Sequence, residues 1–170
     1  MSTTEILPVI GFLGTGHIAT FHSKMLKISG VPMTRGGCFD IDIARVEKFA
    51  AASGHQVMSS EQDVIASCDI IYICTWTSEH QRLVDMCIAA GKPFFCEKPL
   101  SIGFSQALQM TTTAARSSLT HQCGLILRRS PAYLWARELI TDAKAGAPMA
   151  VVFRDDQFIP IQGHYSSTWR

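Results

Sequence analysis

The stretch PVIGFLGTGHIA, residues 8–19, changes character at its midpoint. Its first half is β-branched and aromatic and reads as a buried strand. Its second half, Gly14-Thr15-Gly16-His17-Ile18-Ala19, fits G-x-G-x-x-[GA]. The first glycine permits a tight turn, the second lets the backbone approach a pyrophosphate, and Ala19 lets helix and strand pack closely. The amides and dipole of the following helix then face the phosphates. Glycine turns after strands are common, so the motif gains its weight from context. It follows a strand, opens a helix, and Asp40 stands 21 residues beyond Ala19. A carboxylate there can accept hydrogen bonds from the adenosine ribose hydroxyls and repels a 2′-phosphate, which favours NAD over NADP. Arg45 is the obvious helper if NADP were used, and it reads equally as a solvated cation on the next helix.

Outward from that stretch, short β-rich runs alternate with amphipathic helices, the pattern of a parallel α/β sheet. A helix is expected from about His17 to Ile28, ending at Ser29-Gly30, and a second strand from Met33 to Phe39. Asp42 can cap the helix IARVEKFAAAS, and Gly54 can end it in the left-handed conformation. A short strand follows at Gln56–Met58. Ser60 and Asp63 stand at capping-box spacing over a helix to about Ser67. DIIYICT is a continuous apolar run of the kind covered on both faces. A helix from Ser78 to Ala90 closes at Gly91; then come the strand PFFCEK, a helix from Phe104 to Ser117 and a sixth strand, HQCGLIL. Six strands with intervening helices predict a doubly wound parallel Rossmann sheet in the order 3-2-1-4-5-6. Beyond it, Pro131 opens a helix to about Lys144, with Gly146 past its end, and a new strand is expected over Met149–Phe158.

The bulk composition excludes several function classes. Fifteen Lys and Arg stand against fourteen Asp and Glu, so no basic field exists to attract nucleic acid or an anionic membrane. No apolar run approaches the roughly 20 residues needed to cross a bilayer. The start, MSTTEILPVIGF, lacks the regions of a signal peptide, so a cytoplasmic protein is expected. The six cysteines form no C-x-x-C and sit mostly in apolar runs, as packed, reduced thiols would; no metal site is expected.

Two loops carry the chemistry. Thr75-Trp76-Thr77-Ser78-Glu79-His80 leaves the fourth strand at its carboxyl end, where such sheets bind ligands. Ser78 also reads simply as a helix cap and His80 as a first-turn residue. Glu97-Lys98-Pro99 leaves the fifth strand beside it. A partly desolvated Lys98 can exchange a proton or hydrogen-bond a reacting oxygen, with Pro99 fixing the backbone that aims it. The alternative is a solvated strand end.

Taken in order, GFLGTGHIATFH, CFDID, DIIYICTWTSEH, AAGKPFFCEKPLS and GLILRRSPAY resemble the glucose–fructose oxidoreductase/inositol dehydrogenase (Gfo/Idh/MocA) family. That resemblance implies an NAD(P)-dependent oxidoreductase acting on a sugar, polyol or related hydroxy compound. It implies that Lys98 is the active-site lysine and that Glu97 lies by the nicotinamide ribose. It sets Thr75, Thr77 and His80 on the family's T-P-N-x-x-H loop, with Trp76 in place of the proline and Thr77 in place of the asparagine. Arg128 and Arg129 match arginines that follow the sixth strand, where the chain crosses to a substrate domain; a solvated strand end is the other reading. Residues 1–128 are then the dinucleotide-binding domain, and 129–170 the truncated start of an α+β substrate domain. The family's D-x-x-x-H pair, whose histidine is usually the acid/base, has no counterpart; Asp155, Asp156 and His164 lack that spacing. The chain therefore looks like an amino-terminal half, expected to bind the dinucleotide but to turn over sugars negligibly. The Met149–Phe158 strand would be a mobile, unpaired edge or would pair with a second copy, so a homo-oligomer is expected. The rival from another class is a non-catalytic dinucleotide-binding sensor or partner-binding module. A downstream D-x-x-x-H helix in the natural reading frame would favour the enzyme, and a stop codon after Arg170 the module.

Overall fold

Alternate residues of Val9–Leu13 (β1) enter two different cores, and this sets the layering of the molecule. In a computed structural model that describes residues 6–142, 146–150, 152 and 154, six parallel strands form one sheet. They are β1, β2 (Thr34–Phe39), β3 (Gln56–Val57), β4 (Ile70–Ile73), β5 (Phe94–Cys96) and β6 (His121–Cys123), and their order is 3-2-1-4-5-6, as the alternating pattern predicts. Ile10 and Phe12 pack with Ala19 of α1 (His17–Ser29) and with Val46 and Phe49 of α2 (Ile43–Ser53). Leu13, Ile71, Ile73, Phe94 and Cys96 pack on the other face. They meet residues of α3 (Glu61–Ser67), α4 (His80–Ala89) and α5 (Phe104–Arg116). Each fully buried side chain such as Phe12 or Ile73 contributes about 2 kcal/mol relative to exposure. Five of the six cysteines are buried, where they fill these cores as thiols.

The helix ends follow their local chemistry. Asp42 Oδ1 accepts the Arg45 N–H at 3.1 Å, and Gly54 closes α2 at φ 78°. Ser60 Oγ accepts the Asp63 N–H at 3.1 Å over α3. Within β2 the register to β1 slips between Ile10↔Arg35 and Phe12↔Cys38. Gly36 is required at this bulge, because a Cβ there would stand 2.6 Å from Cys68 Sγ and Val9 Cγ1.

Three sequence expectations are corrected. β6 ends at Cys123 rather than Leu127, since β5, its only partner among the described residues, ends at Cys96; the chain turns through Leu125 N–H to Cys123 O at 2.7 Å and enters a short 3-10 helix, Ile126–Arg129. The strand PFFCEK likewise stops before Glu97. The last helix, α6 (Pro131–Thr141), ends short of Lys144 because Asp142 is extended, at φ −71° and ψ 118°. Lys144, Asp155, Asp156, His164 and most of the expected strand at 149–158 lie outside the described residues; Met149, Ala150, Val152 and Arg154, which are described, form no strand. The chain divides into two compact units, 1–126 and 127–170. Among the described residues no helix is long and apolar enough to cross a membrane.

One buried polar group answers to no expectation. His55 is 5% exposed, its ring edge-on to Phe12 at 5.0 Å. Ser53 Oγ donates to the Phe49 carbonyl and so must accept from His55 Nδ1 at 3.0 Å, which leaves Nε2 bare and unpartnered. Burial, with Arg35 nearby, pushes this imidazole down to about 4 from 6.5. The fold thus holds His55 neutral, and the unfolded chain binds the proton first. Its contribution is complete above pH 6.5 and is lost as pH falls from 6.5 toward 4, up to about 3 kcal/mol. Urea unfolding of wild type should therefore show a midpoint that drops between pH 7 and 5, and His55→Phe should show a shallower drop. Parallel slopes in the two proteins would refute this role.

Candidate functional site at the carboxyl ends of β1, β2, β4 and β5

The sheet order reverses direction between β1 and β4, and the crevice of such a fold opens at the carboxyl ends of the strands there. Gly14 follows β1 at φ 80°, where a Cβ would lie 2.7 Å from the Cys74 carbonyl and 2.8 Å from the Thr75 nitrogen. Its N–H is bonded to Phe39 O at 2.9 Å, and the Cys74 N–H to Leu13 O at 2.7 Å. The glycine turn is thereby tied to both neighbouring strands. Gly16, in extended backbone, precedes α1 without any side-chain cap, and nothing lies within 4 Å of where its Cβ would be. The first amides of α1 have no preceding helical carbonyl to bond. An uncapped, positively polarised helix end beneath open space fits a pyrophosphate. His17 and Ile18 are exposed beside it, and Ala19 is buried against the sheet.

Asp40 follows β2 directly, is buried, and holds this turn in place. Its Oδ2 accepts the Thr15 N–H at 2.8 Å and the Thr15 hydroxyl at 3.1 Å; its Oδ1 accepts the Asp42 N–H at 3.0 Å and Arg45 Nη1 at 3.0 Å. All four lone-pair directions of the carboxylate are taken. Arg45 is not simply solvated: its Nη2 also reaches Asp42 Oδ2 at 3.1 Å.

Beyond β4, Thr77–Glu79 forms a single 3-10 turn before α4. Ser78 caps nothing; its Oγ donates to Glu79 Oε1 at 3.4 Å, and Glu79 takes the cap position of α4. Trp76 is exposed, with Thr75 and Thr77 half-buried. His80 is 1% exposed, and both its ring nitrogens face backbone carbonyls. Nδ1 is 3.0 Å from Pro99 O and 3.3 Å from Leu100 O, and Nε2 is 3.3 Å from Thr75 O. His80 thus joins the loop after β4 to the loop after β5.

The Glu97 N–H bonds Ile73 O at 3.0 Å, and the Lys98–Pro99 peptide is cis. Lys98 is exposed at the rim. Glu97 is 6% exposed; its Oε2 accepts the Lys98 N–H at 2.9 Å, and its Oε1 lies 2.7 Å from His22 Nε2. Burial alone would raise this carboxyl, but the His22 hydrogen bond and the Lys98 amide outweigh it and hold Glu97 below its ordinary value. Sequence reasoning passed over His22. The signal was its spacing: three residues after Ala19 it shares the sheet-facing side of α1. Its ring meets Phe95 at 4.9 Å, at the end of a row in which Phe12, Tyr72 and Phe95 stack at 5.1 and 5.0 Å. The same rim therefore holds Gly14, Thr15, Gly16, Asp40, Thr75, His80, Glu97 and Lys98 through a continuous chain of contacts. Arg128 and Arg129 belong to the second compact unit and are exposed there.

Comparisons with known proteins agree with this architecture. Residues 9–125 match the model of an oxidoreductase family with an NAD-binding Rossmann fold. An inositol 2-dehydrogenase of Cereibacter sphaeroides is 32% identical over 145 residues, covering 84% of this chain and 43% of that protein. Among solved structures, UDP-N-acetylglucosamine 3-dehydrogenase from Acidithiobacillus ferrooxidans superposes with a TM-score of 0.70 at 26% identity, over 78% of this chain and 42% of its own. Apo scyllo-inositol dehydrogenase from Lactobacillus casei, at 20% identity, shares the fold with a TM-score of 0.76 over 85% of this chain and 44% of its own. The chain spans less than half the length of the relatives it matches. With the family match covering the whole sheet and the glycine turn, the chain belongs to the Gfo/Idh/MocA family of oxidoreductases with an NAD-binding Rossmann fold.

Proposed function

We propose that this protein is a nicotinamide-dependent dehydrogenase acting on a hydroxyl-bearing carbon of a sugar- or polyol-like substrate, and that this chain supplies its NAD site. The observation that carries the reading is the rim itself: an uncapped glycine turn bonded to Asp40 on one side, with Glu97-Lys98 held across the switch point on the other. The similarity to inositol and nucleotide-sugar dehydrogenases supports the substrate class. The division into a dinucleotide-binding part, 1–128, and the opening of a substrate domain, 129–170, belongs to the same proposal. It is supported by the family match ending at residue 125 and by the compact unit ending at 126.

In this reading Gly14, Thr15, Gly16, His17 and Ile18 present backbone to the pyrophosphate, and Asp40 takes the adenosine ribose. Thr75, Trp76 and Thr77 border the nicotinamide half, with His80 bracing them from beneath. The cofactor, when bound, supplies hydride acceptance at its nicotinamide ring. Lys98 donates a hydrogen bond to the reacting oxygen, polarises the bond to it and orients the carbon that carries it. No aspartate in the sequence has a histidine four positions on, so a partner acid/base of that form is absent from these 170 residues.

Asp40 can accept a ribose hydroxyl only by releasing one of its four donors. Arg45 is the one to go, because its guanidinium is half-exposed and keeps a second anchor on Asp42. Calorimetric titration should then show Asp40→Ala weakening NAD by roughly tenfold or more while NADP gains relative to NAD, since the repelling carboxylate is gone and Arg45 is freed. Adding Arg45→Ala should remove the NADP gain. Unchanged NAD affinity in Asp40→Ala would overturn the assignment. A second outcome concerns catalysis. The purified 170-residue chain should bind NADH yet form no measurable NADH from NAD with myo-inositol; robust turnover would show that a sufficient acid/base resides within it.

A further inference from the structure

The contact between α1 and the end of β5 joins residues 75 apart in the chain and has no part in the function proposed so far. We propose that His22 is a positioning residue: its Nε2–H, donated to Glu97 Oε1 at 2.7 Å, orients the carboxylate that holds the Lys98 peptide and so shapes the nicotinamide half of the site. This rests on the dinucleotide reading above.

The geometry leaves the carboxylate little freedom. Its Oε2 is bonded to the Lys98 N–H, and Gly124 closes the far side, where a Cβ would stand 3.1 Å from Oε2. The Glu97 main chain is fixed to Ile73. His22 cannot easily turn away, because its ring is seated on Phe95 at 4.9 Å and faces Tyr72 at 5.8 Å. An ionised carboxylate only accepts, so the Nε2 of His22 carries the proton in this bond. The other ionisable groups facing Glu97 are the Lys98 ammonium and the thiols of Cys74 and Cys96, which burial keeps protonated. Removing the His22 donor would leave a buried carboxylate with one partner fewer, and burial would then drive it toward the neutral acid.

Location gives this a functional direction. Asp40 takes the adenosine ribose at β2 and the glycine turn takes the pyrophosphate at β1, so the other half of the dinucleotide falls on the β4–β5 side, at Glu97-Lys98. His22 lies six residues after Gly16 on the helix that meets the pyrophosphate, and so ties the two halves together.

ADP, which lacks both the nicotinamide and its ribose, separates positioning from a general loosening of α1. His22→Phe keeps the ring packing and deletes the donor, and His22→Gln restores a donor. Calorimetry should find NADH roughly tenfold weaker in His22→Phe, ADP unchanged, and NADH largely recovered in His22→Gln. The Lys98 amide resonance should titrate with Glu97, at a higher pH in His22→Phe than in wild type. Equal losses for both ligands would overturn the proposal in favour of a structural role for α1. So would an unchanged NADH affinity together with an unchanged Lys98 titration. Wild type that binds neither ligand would defeat the dinucleotide reading, while the Lys98 titration would still decide whether His22 governs Glu97.

Discussion

The Gly14 turn lies against the peptide that joins Cys74 to Thr75 closely enough that no side chain fits between them. This approach, at a φ that disfavours any other residue, fixes how β1 sits beside β4 although some 60 residues separate them. The crevice exists because these two strands are neighbours while their connections run in opposite directions along the sheet. What lines the rim is then set by which residue follows each strand. Thr15 and Thr75 stand two residues beyond β1 and β4, and Asp40 and Glu97 directly follow β2 and β5. A side chain at Gly14 would collide with the Cys74–Thr75 peptide on that rim.

Two buried carboxylates stand just past the ends of β2 and β5, and they are satisfied differently. Asp40 is saturated by backbone, hydroxyl and guanidinium donors, one of which is half-exposed and exchangeable. Glu97 has an imidazole on one oxygen and the next residue's amide on the other. In the proposed reading, exchange suits a group that must release a protein donor to take a ligand's hydroxyl. A clamp suits a group whose task is to hold its neighbour still. The difference follows from the donors available at each strand end, an arginine at the surface against a histidine wedged on an aromatic row.

Local signals made much of the fold legible. Asp42 and Gly54 announced both ends of α2 because a capping carboxylate and a left-handed glycine act within a few residues. The strand order followed from the alternation of elements. The errors came where the deciding partner was remote. Nothing within GLIL reveals that β5 has already ended, so β6 read too long. The bulge beside Gly36 was not read from the sequence, because what excludes a side chain there is Cys68 and Val9. His22 stood in plain view inside the glycine-motif helix, and its meaning depended on a carboxylate 75 residues away.

The same distinction resolves the adjacent acid and base at Glu97-Lys98. Read along the chain, they are an acid and a base side by side at a strand end. In space the carboxylate is buried and turned back onto the amide of Lys98, whereas the lysine is exposed at the rim. A carboxylate held below its ordinary value by two donors is a poor proton acceptor at neutral pH. Its effect on the lysine is geometric and electrostatic: it anchors the peptide from which the ammonium projects and places a fixed negative charge behind it. Glu97 therefore supports the lysine without sharing its proton, and the Lys98 side chain is left exposed at the rim.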